Sequence, residues 1–185
     1  MARHALAQLG LDRVVLMPAA AAPHKDAGAD PGSRHRLNMC RLAVAGSEGL
    51  SACAMEVERG GPSYTVDTLT AIHASHPDTR MTFIVGADTA LTLPHWHTPE
   101  RLLELAELAV ATRTGSASEQ VLETLSGLGG DARVRFLAMP PIEVSSSAVR
   151  SRVAEGRPCA DLVGPEVAEY IAEHRLYGPP AVRES

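Results

Sequence analysis

The chain has 185 residues, of which 45% are hydrophobic and 21% charged, the size and balance of one ordinary globular domain rather than a disordered segment. No stretch is long and apolar enough to span a bilayer and no charged-then-apolar leader opens the chain, so the expectation is a cytoplasmic protein with no membrane partner. Seventeen basic against twenty-two acidic side chains give a net charge of −5, and aromatics are only 3%, which excludes the footprint of a nucleic-acid binder.

Residues 3–10 read as a helix closed by Gly10, delivering a buried strand at Val14–Met17 that Pro18 stops. Residues 19–32, rich in Ala, Gly, Pro and Asp, form a loop, and a helix follows over 33–45 with Leu37, Cys40 and Val44 on one face. Loose alternation over 52–58 predicts a strand entering a turn at Arg59-Gly-Gly-Pro62. Ser63 or Thr65 then caps a helix carrying Val66, Leu69, Ile72 and His73 on one side. Met81–Val85 is a buried strand ending at Gly86, Pro99 starts a helix to 105, and 108–112 is a further strand. A short helix over 119–125, a strand over 134–138 closed by Pro140-Pro141, and two final helices over 146–155 and 165–174 complete the chain.

Strands with apolar interiors alternating with helices define an α/β fold, a mostly parallel sheet covered on both faces. The pattern predicts a single domain over 1–178 and a tail over 179–185. Cys40, Cys53 and Cys159 are odd in number and widely spaced, as expected of reduced packing residues.

In such folds ligands bind beyond the carboxyl ends of the strands. Those ends carry Pro18 to Lys25, Gly86-Ala-Asp88, Arg113 and Ser145-Ser-Ser-Ala-Val-Arg150. Serines leading into a helix, with Arg150 one turn in, suit a polyphosphate, although a plain serine cap with a solvated arginine explains them equally well. Gly86 lets backbone approach a ligand, and Asp88 can bind ribose hydroxyls, hold a metal or merely cap the next turn. His95-Trp96-His97 lacks the further ligands that zinc needs, so no resident metal site is expected, while Trp96 can stack on a planar heterocycle. Lys25 is the only lysine among the seventeen basic residues. A compact ammonium needed over a phosphate would resist replacement by arginine, but drift could also leave one lysine. P-loop, Gly-x-Gly-x-x-Gly and Gly-x-Ser-x-Gly motifs are absent from the sequence, which removes P-loop NTPases, ordinary dinucleotide dehydrogenases and α/β-hydrolases.

These stretches recur in a characteristic order: Leu11-Asp-Arg-Val14, Pro18 through Pro23-His24-Lys25, Arg36-Leu-Asn-Met39 and Pro62-Ser-Tyr-Thr-Val-Asp-Thr-Leu69. Phe83-Ile-Val-Gly-Ala-Asp88, Trp96, Arg113, Val144-Ser-Ser-Ser-Ala-Val-Arg150, Tyr170-Ile171 and His174-Arg-Leu-Tyr177 follow. From about Arg3 to Gly178 the chain resembles bacterial nicotinate-nucleotide adenylyltransferases of the nucleotidylyltransferase superfamily. The resemblance implies a Rossmann-like fold and transfer of AMP from ATP to nicotinate mononucleotide, with Mg²⁺, in NAD biosynthesis. It implies that Ser146, Ser147 and Arg150 hold ATP phosphates, Gly86 and Asp88 the adenosine ribose region, and His24 and Lys25 the reacting phosphates. Tyr64, Thr65 and Trp96, with Arg113, would serve the acceptor. Homo-oligomerisation is left open.

The superfamily opens with a strand and a Gly-x-Phe-Asp-Pro-x-His-x-Gly-His loop whose histidines contact ATP phosphates, and this chain starts after it. His4, without a Gly-His neighbour, is no substitute. The resemblance therefore implies a sheet missing its first strand and impaired transfer by the chain as it stands. The alternatives are a non-catalytic nucleotide-binding homologue and a related nucleotidylyltransferase with another acceptor.

Overall fold

The computed structural model describes residues 1–21, 30–112, 116–128, 133–140 and 144–178. Helix α1 (Ala2–Leu9) ends at Gly10, whose φ of 63° is the left-handed cap that glycine adopts without strain. Strand β1 (Val14–Leu16), α2 (Ser33–Val44), β2 (Leu50–Ala52) and the single turn α3 (Met55–Arg59) follow. Next come α4 (Thr65–Ser75), β3 (Met81–Gly86), the short α5 (Ala87–Ala90), a 3₁₀ turn over Leu93–His95 and α6 (Pro99–Leu105). The remainder is β4 (Ala106–Thr112), α7 (Ser116–Ser126), β5 (Val134–Ala138), α8 (Ser146–Ala154), α9 (Ala160–Val163) and α10 (Pro165–Glu173). The chain divides into two compact units, Met1–Val14 with Gly61–Pro141 and Val15–Gly60 with Ile142–Ser185. Among the described residues the strands form two sheets, β1-β2 and β3-β4-β5.

In the first unit β4 pairs in parallel with β3, Met81 opposite Ala106 through Gly86 opposite Ala111. It also pairs in parallel with β5, Leu108 opposite Val134 through Thr112 opposite Ala138. Side chains alternate across a strand. Leu108 and Val110 therefore join Leu69, Leu93, Leu102, Val121 and Leu125 from the helices on one face. Ala109, Ala111 and Leu137 meet Ala5 and Leu9 of α1 on the other. The sheet is thus covered on both sides, as expected. Gln8 anchors α1 to the end of β5: its Nε2 donates to the Ala138 carbonyl at 3.0 Å and its Oε1 accepts from the Ala138 N–H at 3.2 Å.

In the second unit β1 and β2 are followed by a further link, the Cys53 N–H donating to the Leu16 carbonyl at 2.9 Å. Its core gathers Val149, Cys159, Val167, Ile171 and Leu176, with Met39 and Leu42 of α2 packed against them. Tyr170 of α10 fastens α2 through its hydroxyl, 2.9 Å from His35 Nδ1 and 3.0 Å from the donating Asn38 Nδ2.

Four local expectations are corrected. Residues 52–58 are not one strand: β2 ends at Ala52 and Met55–Arg59 is helical. The Glu58 N–H donates to Ala54 at 2.8 Å, the Gly60 N–H donates to Glu56 at 3.0 Å, and Gly60 and Gly61 take left-handed φ of 68° and 70°. Met, Glu and Arg are strong helix formers, and a five-residue turn is too short to reveal its period. Tyr64, rather than Ser63 or Thr65, holds the N-cap of α4, with no side-chain cap. On that helix Thr68 is buried with Val66 and Leu69, while His73 is exposed. Finally, α9 adds a helix between the two expected at the end of the chain, again too short to show periodicity.

Leu108 is fully buried at the centre of β4, so Leu108→Ala should destabilise the protein by about 2–5 kcal/mol. Arg101→Ala, which removes an exposed pair with Glu104, should cost less than about 1 kcal/mol. Urea unfolding of both variants checks the contrast.

Candidate functional site

The expected site residues fall into two groups, one in each unit. In the first unit β3 ends at Gly86, which forms the N-cap of α5, and Asp88 lies exposed in that helix's first turn. Gly86 has an ordinary φ of −78°, and a Cβ added there would meet nothing within 4 Å. The backbone does not require glycine at this position, and the volume beside it is open.

The 3₁₀ turn then delivers Trp96. Its Nε1–H donates to Thr92 Oγ1 at 3.0 Å, and its ring meets Phe83 of β3 edge-on with centroids 5.9 Å apart. That geometry is the favourable one for aromatic pairs. The next residue, His97, lies against Tyr64, centroids 4.6 Å apart. Trp96 thus rests on the strand that carries Gly86, and its neighbour His97 rests on Tyr64, which precedes Thr65 at the start of α4. The exposed His95 and His97 form no metal centre: no cluster of three or more His, Cys, Asp or Glu exists among the described residues.

In the second unit Ser145 caps α8, its Oγ accepting from the Ala148 N–H at 3.1 Å. Ser146 and Ser147 occupy the first turn, where a helix leaves N–H groups without intrahelical partners. Arg150 Nη2 donates to Ser147 Oγ at 3.2 Å. Hydroxyls, free N–H groups, the positive end of the helix dipole and a guanidinium therefore share one exposed turn, a combination suited to phosphate oxygens. Burial raises the Tyr177 phenol above its ordinary value; nearby Arg150 and Arg36 lower it and Asp30 raises it. The Cys40 thiol is also raised by burial, with Arg36 opposing, which keeps it protonated and a poor nucleophile. His24, Lys25 and Arg113 lie outside the described residues.

Sequence reasoning missed the supporting contacts of Phe83, Thr92 and His97, and also the pairing of Arg36 with Asp30. Phe83 and Arg36 stand inside the motifs, but no local signal says which distant group a ring or a guanidinium will meet.

Residues 1–152 match the family described as Cytidylyltransferase-like, and the chain belongs to that family. The fold is that of a Plasmodium falciparum nicotinic acid mononucleotide adenylyltransferase complexed with NaAD, with a TM-score of 0.72 at 18% identity over 94% of this chain and 87% of that one. Within the family the chain belongs with the nicotinate-nucleotide adenylyltransferases. It is 38% identical over 170 residues to a probable nicotinate-nucleotide adenylyltransferase of Symbiobacterium thermophilum, covering 91% of this chain and 82% of the relative. It is 41% identical over 180 residues to the corresponding protein of Albidiferax ferrireducens, covering 96% and 88%.

Because burial disfavours the Tyr177 phenolate, the folded state holds this proton more tightly than the unfolded state. The corresponding stability is fully present below the ordinary tyrosine value near 10 and is lost as pH rises through the higher folded value. Tyr177→Phe should therefore flatten the alkaline fall in stability as pH rises above the ordinary tyrosine value near 10, measured as urea midpoints on either side of it.

Proposed function

We propose that this chain transfers AMP from ATP to nicotinate mononucleotide, giving deamido-NAD and pyrophosphate, as a cytoplasmic enzyme of NAD biosynthesis. The observation that carries the reading is the start of α8, where Ser146, Ser147 and Arg150 gather on one turn in a chain of this family. No protein nucleophile is required. The acceptor phosphate attacks the α-phosphorus in line, pyrophosphate leaves, and catalysis consists of positioning plus neutralisation of charge on the triphosphate.

In this reading α8 holds ATP phosphates. The open volume at Gly86 admits the adenosine ribose region, whose hydroxyls donate to the exposed Asp88 carboxylate. His24 and Lys25 meet the reacting phosphates. Tyr64, Thr65 and Trp96 form the acceptor pocket, Trp96 held by Thr92 and Phe83 so that its ring orientation is set before substrate arrives. Arg113, directly after β4, serves the acceptor as well.

A divalent ion would enter on the triphosphate, whose oxygens would hold most of its coordination, with the exposed Asp88 carboxylate available as an oxygen ligand from the protein. Mg²⁺ so bound would neutralise the leaving pyrophosphate. The decisive assay is pyrophosphate release with ATP and nicotinate mononucleotide; no release above background from folded protein overturns the reading.

Two substitutions probe the placements. Arg150→Ala should weaken ATP binding by about 1.5–3 kcal/mol, the worth of a charge-assisted contact; titration of ATP measures it. Gly86→Ala has room for its methyl and an ordinary φ. It should leave stability unchanged or raise it by about 0.4–1 kcal/mol while raising the KM for ATP. An unchanged KM would remove Gly86 from the ribose site.

A further inference from the structure

Thr92 lies between α5 and the 3₁₀ turn that delivers Trp96. Its backbone is anchored on both sides, since Ala90 and Leu93 are each fully buried, while Thr92 itself is exposed. The hydroxyl is used twice. It donates to the Thr89 carbonyl at 2.8 Å and accepts from the Trp96 Nε1–H at 3.0 Å. Donation fixes the hydroxyl rotor and leaves a lone pair for the indole, and the β-branched side chain has little freedom at χ1. The Thr92 N–H also donates to the Thr89 carbonyl, at 3.0 Å.

Thr89 directly follows Asp88 in α5. One hydroxyl therefore links the indole to the carbonyl of the residue beside Asp88. The same ring meets Phe83 edge-on, and Phe83 stands three positions before Gly86 on β3. Two different interactions thus tie Trp96 to the turn and the strand that carry Asp88 and Gly86, all within one unit. A ring held by a single contact can pivot about it, and the second contact restricts that pivot.

We propose that Thr92 is a positioning residue for adenylyl transfer: its hydroxyl holds the Trp96 ring in a fixed orientation to the α5 turn bearing Asp88, so that the acceptor's heterocycle and the ribose region of ATP are presented in one relative geometry. This rests on the function proposed above. Thr92 acts only through Trp96. Removing the hydroxyl frees the ring without removing any group assigned to ATP, so placement of the acceptor suffers and that of ATP does not.

Trp96 is the only tryptophan in the chain, so the tryptophan band of the near-ultraviolet circular dichroism and the tryptophan fluorescence anisotropy report on this ring alone. Thr92→Val exchanges the hydroxyl for a methyl of similar size and leaves the indole N–H to water. Thr92→Ala removes the same hydroxyl and serves if the valine variant folds poorly. Either should shrink the tryptophan band and lower the anisotropy while the far-ultraviolet spectrum stays as it was. In turnover, kcat/KM for nicotinate mononucleotide should fall by roughly three- to tenfold, the worth of one neutral hydrogen bond, with the KM for ATP unchanged. Thr92→Ser, which keeps the hydroxyl, should restore both the band and the acceptor kinetics. A band unchanged in the valine and alanine variants overturns the hold on the ring. A diminished band with unchanged acceptor kinetics overturns the positioning role, as does a KM for ATP that rises as much as that for the acceptor. Failure of serine to restore either readout overturns the assignment to the hydroxyl. Folded parent protein that transfers no AMP overturns the functional reading, and the positioning role with it, while the tryptophan band still decides whether Thr92 holds the ring.

Discussion

The parallel pairing of β4 with a neighbour on each side is the constraint on which the first unit depends. A strand hydrogen-bonded along both edges and covered on both faces loses water at its centre, and Leu108, Ala109 and Val110 are each fully buried. The two faces are filled differently. Leu108 and Val110 point toward three helices and a turn and meet large side chains, whereas Ala109 and Ala111 leave space for the backbone of α1 to approach through Ala5. Close packing tolerates neither exchange nor slip, because moving β4 by one residue would send each set to the wrong face. That fixed register aligns the strand ends, Gly86 opposite Ala111 and Thr112 opposite Ala138. The turns bearing Asp88 and Trp96 therefore leave from a rigid edge.

The second unit is organised by helix packing and by arginines that reach across connections. Arg36 ties Asp30 and the Ala20 carbonyl, and Arg152 makes the same kind of join further along: both oxygens of Asp161 at 2.7 Å and the Pro158 carbonyl at 3.4 Å. Arg152 is also what lowers the Asp161 carboxyl below its ordinary range, chiefly by hydrogen bonding. Each join combines one carboxylate with one backbone carbonyl, both served by the same guanidinium. Such exposed pairs add little to folding free energy. Their consequence is geometric: each ties a carboxylate and a backbone carbonyl to one helix.

How much of this the sequence displayed follows from the range of the interaction concerned. Continuous apolar runs marked β3 and β5 almost to the residue, and the glycine and proline punctuation located the ends of α1, α8 and α10. Residues 55–59 and 160–163 escaped because one helical turn contains no repeat to detect. The serine-rich start of α8 was visible because capping is a contact over three residues, here Ser145 with Ala148. By contrast, the seating of Trp96 on Phe83 and of His97 on Tyr64 depends on tertiary packing across 13 and 33 positions. Nothing in the local sequence separates those rings from exposed ones.

A transfer in which substrate phosphate attacks substrate phosphorus asks little of the protein's reactive groups, and the described residues are consistent with that economy. Cys40 is held protonated by its burial and Cys159 is enclosed in the core, so neither thiol is poised for covalent chemistry. What the structure supplies instead is orientation: a ring locked by one hydrogen bond and one edge-on contact, a capped helix start that presents its N–H groups, and a guanidinium shared by Asp30 and the Ala20 carbonyl. Misplacement of a reacting group by about 1 Å can cost about a hundredfold in rate. A contact too weak to matter for folding, such as the Thr92 hydroxyl on the Trp96 indole, still fixes an orientation, whereas stability in the first unit is carried by the close-packed layer around β4.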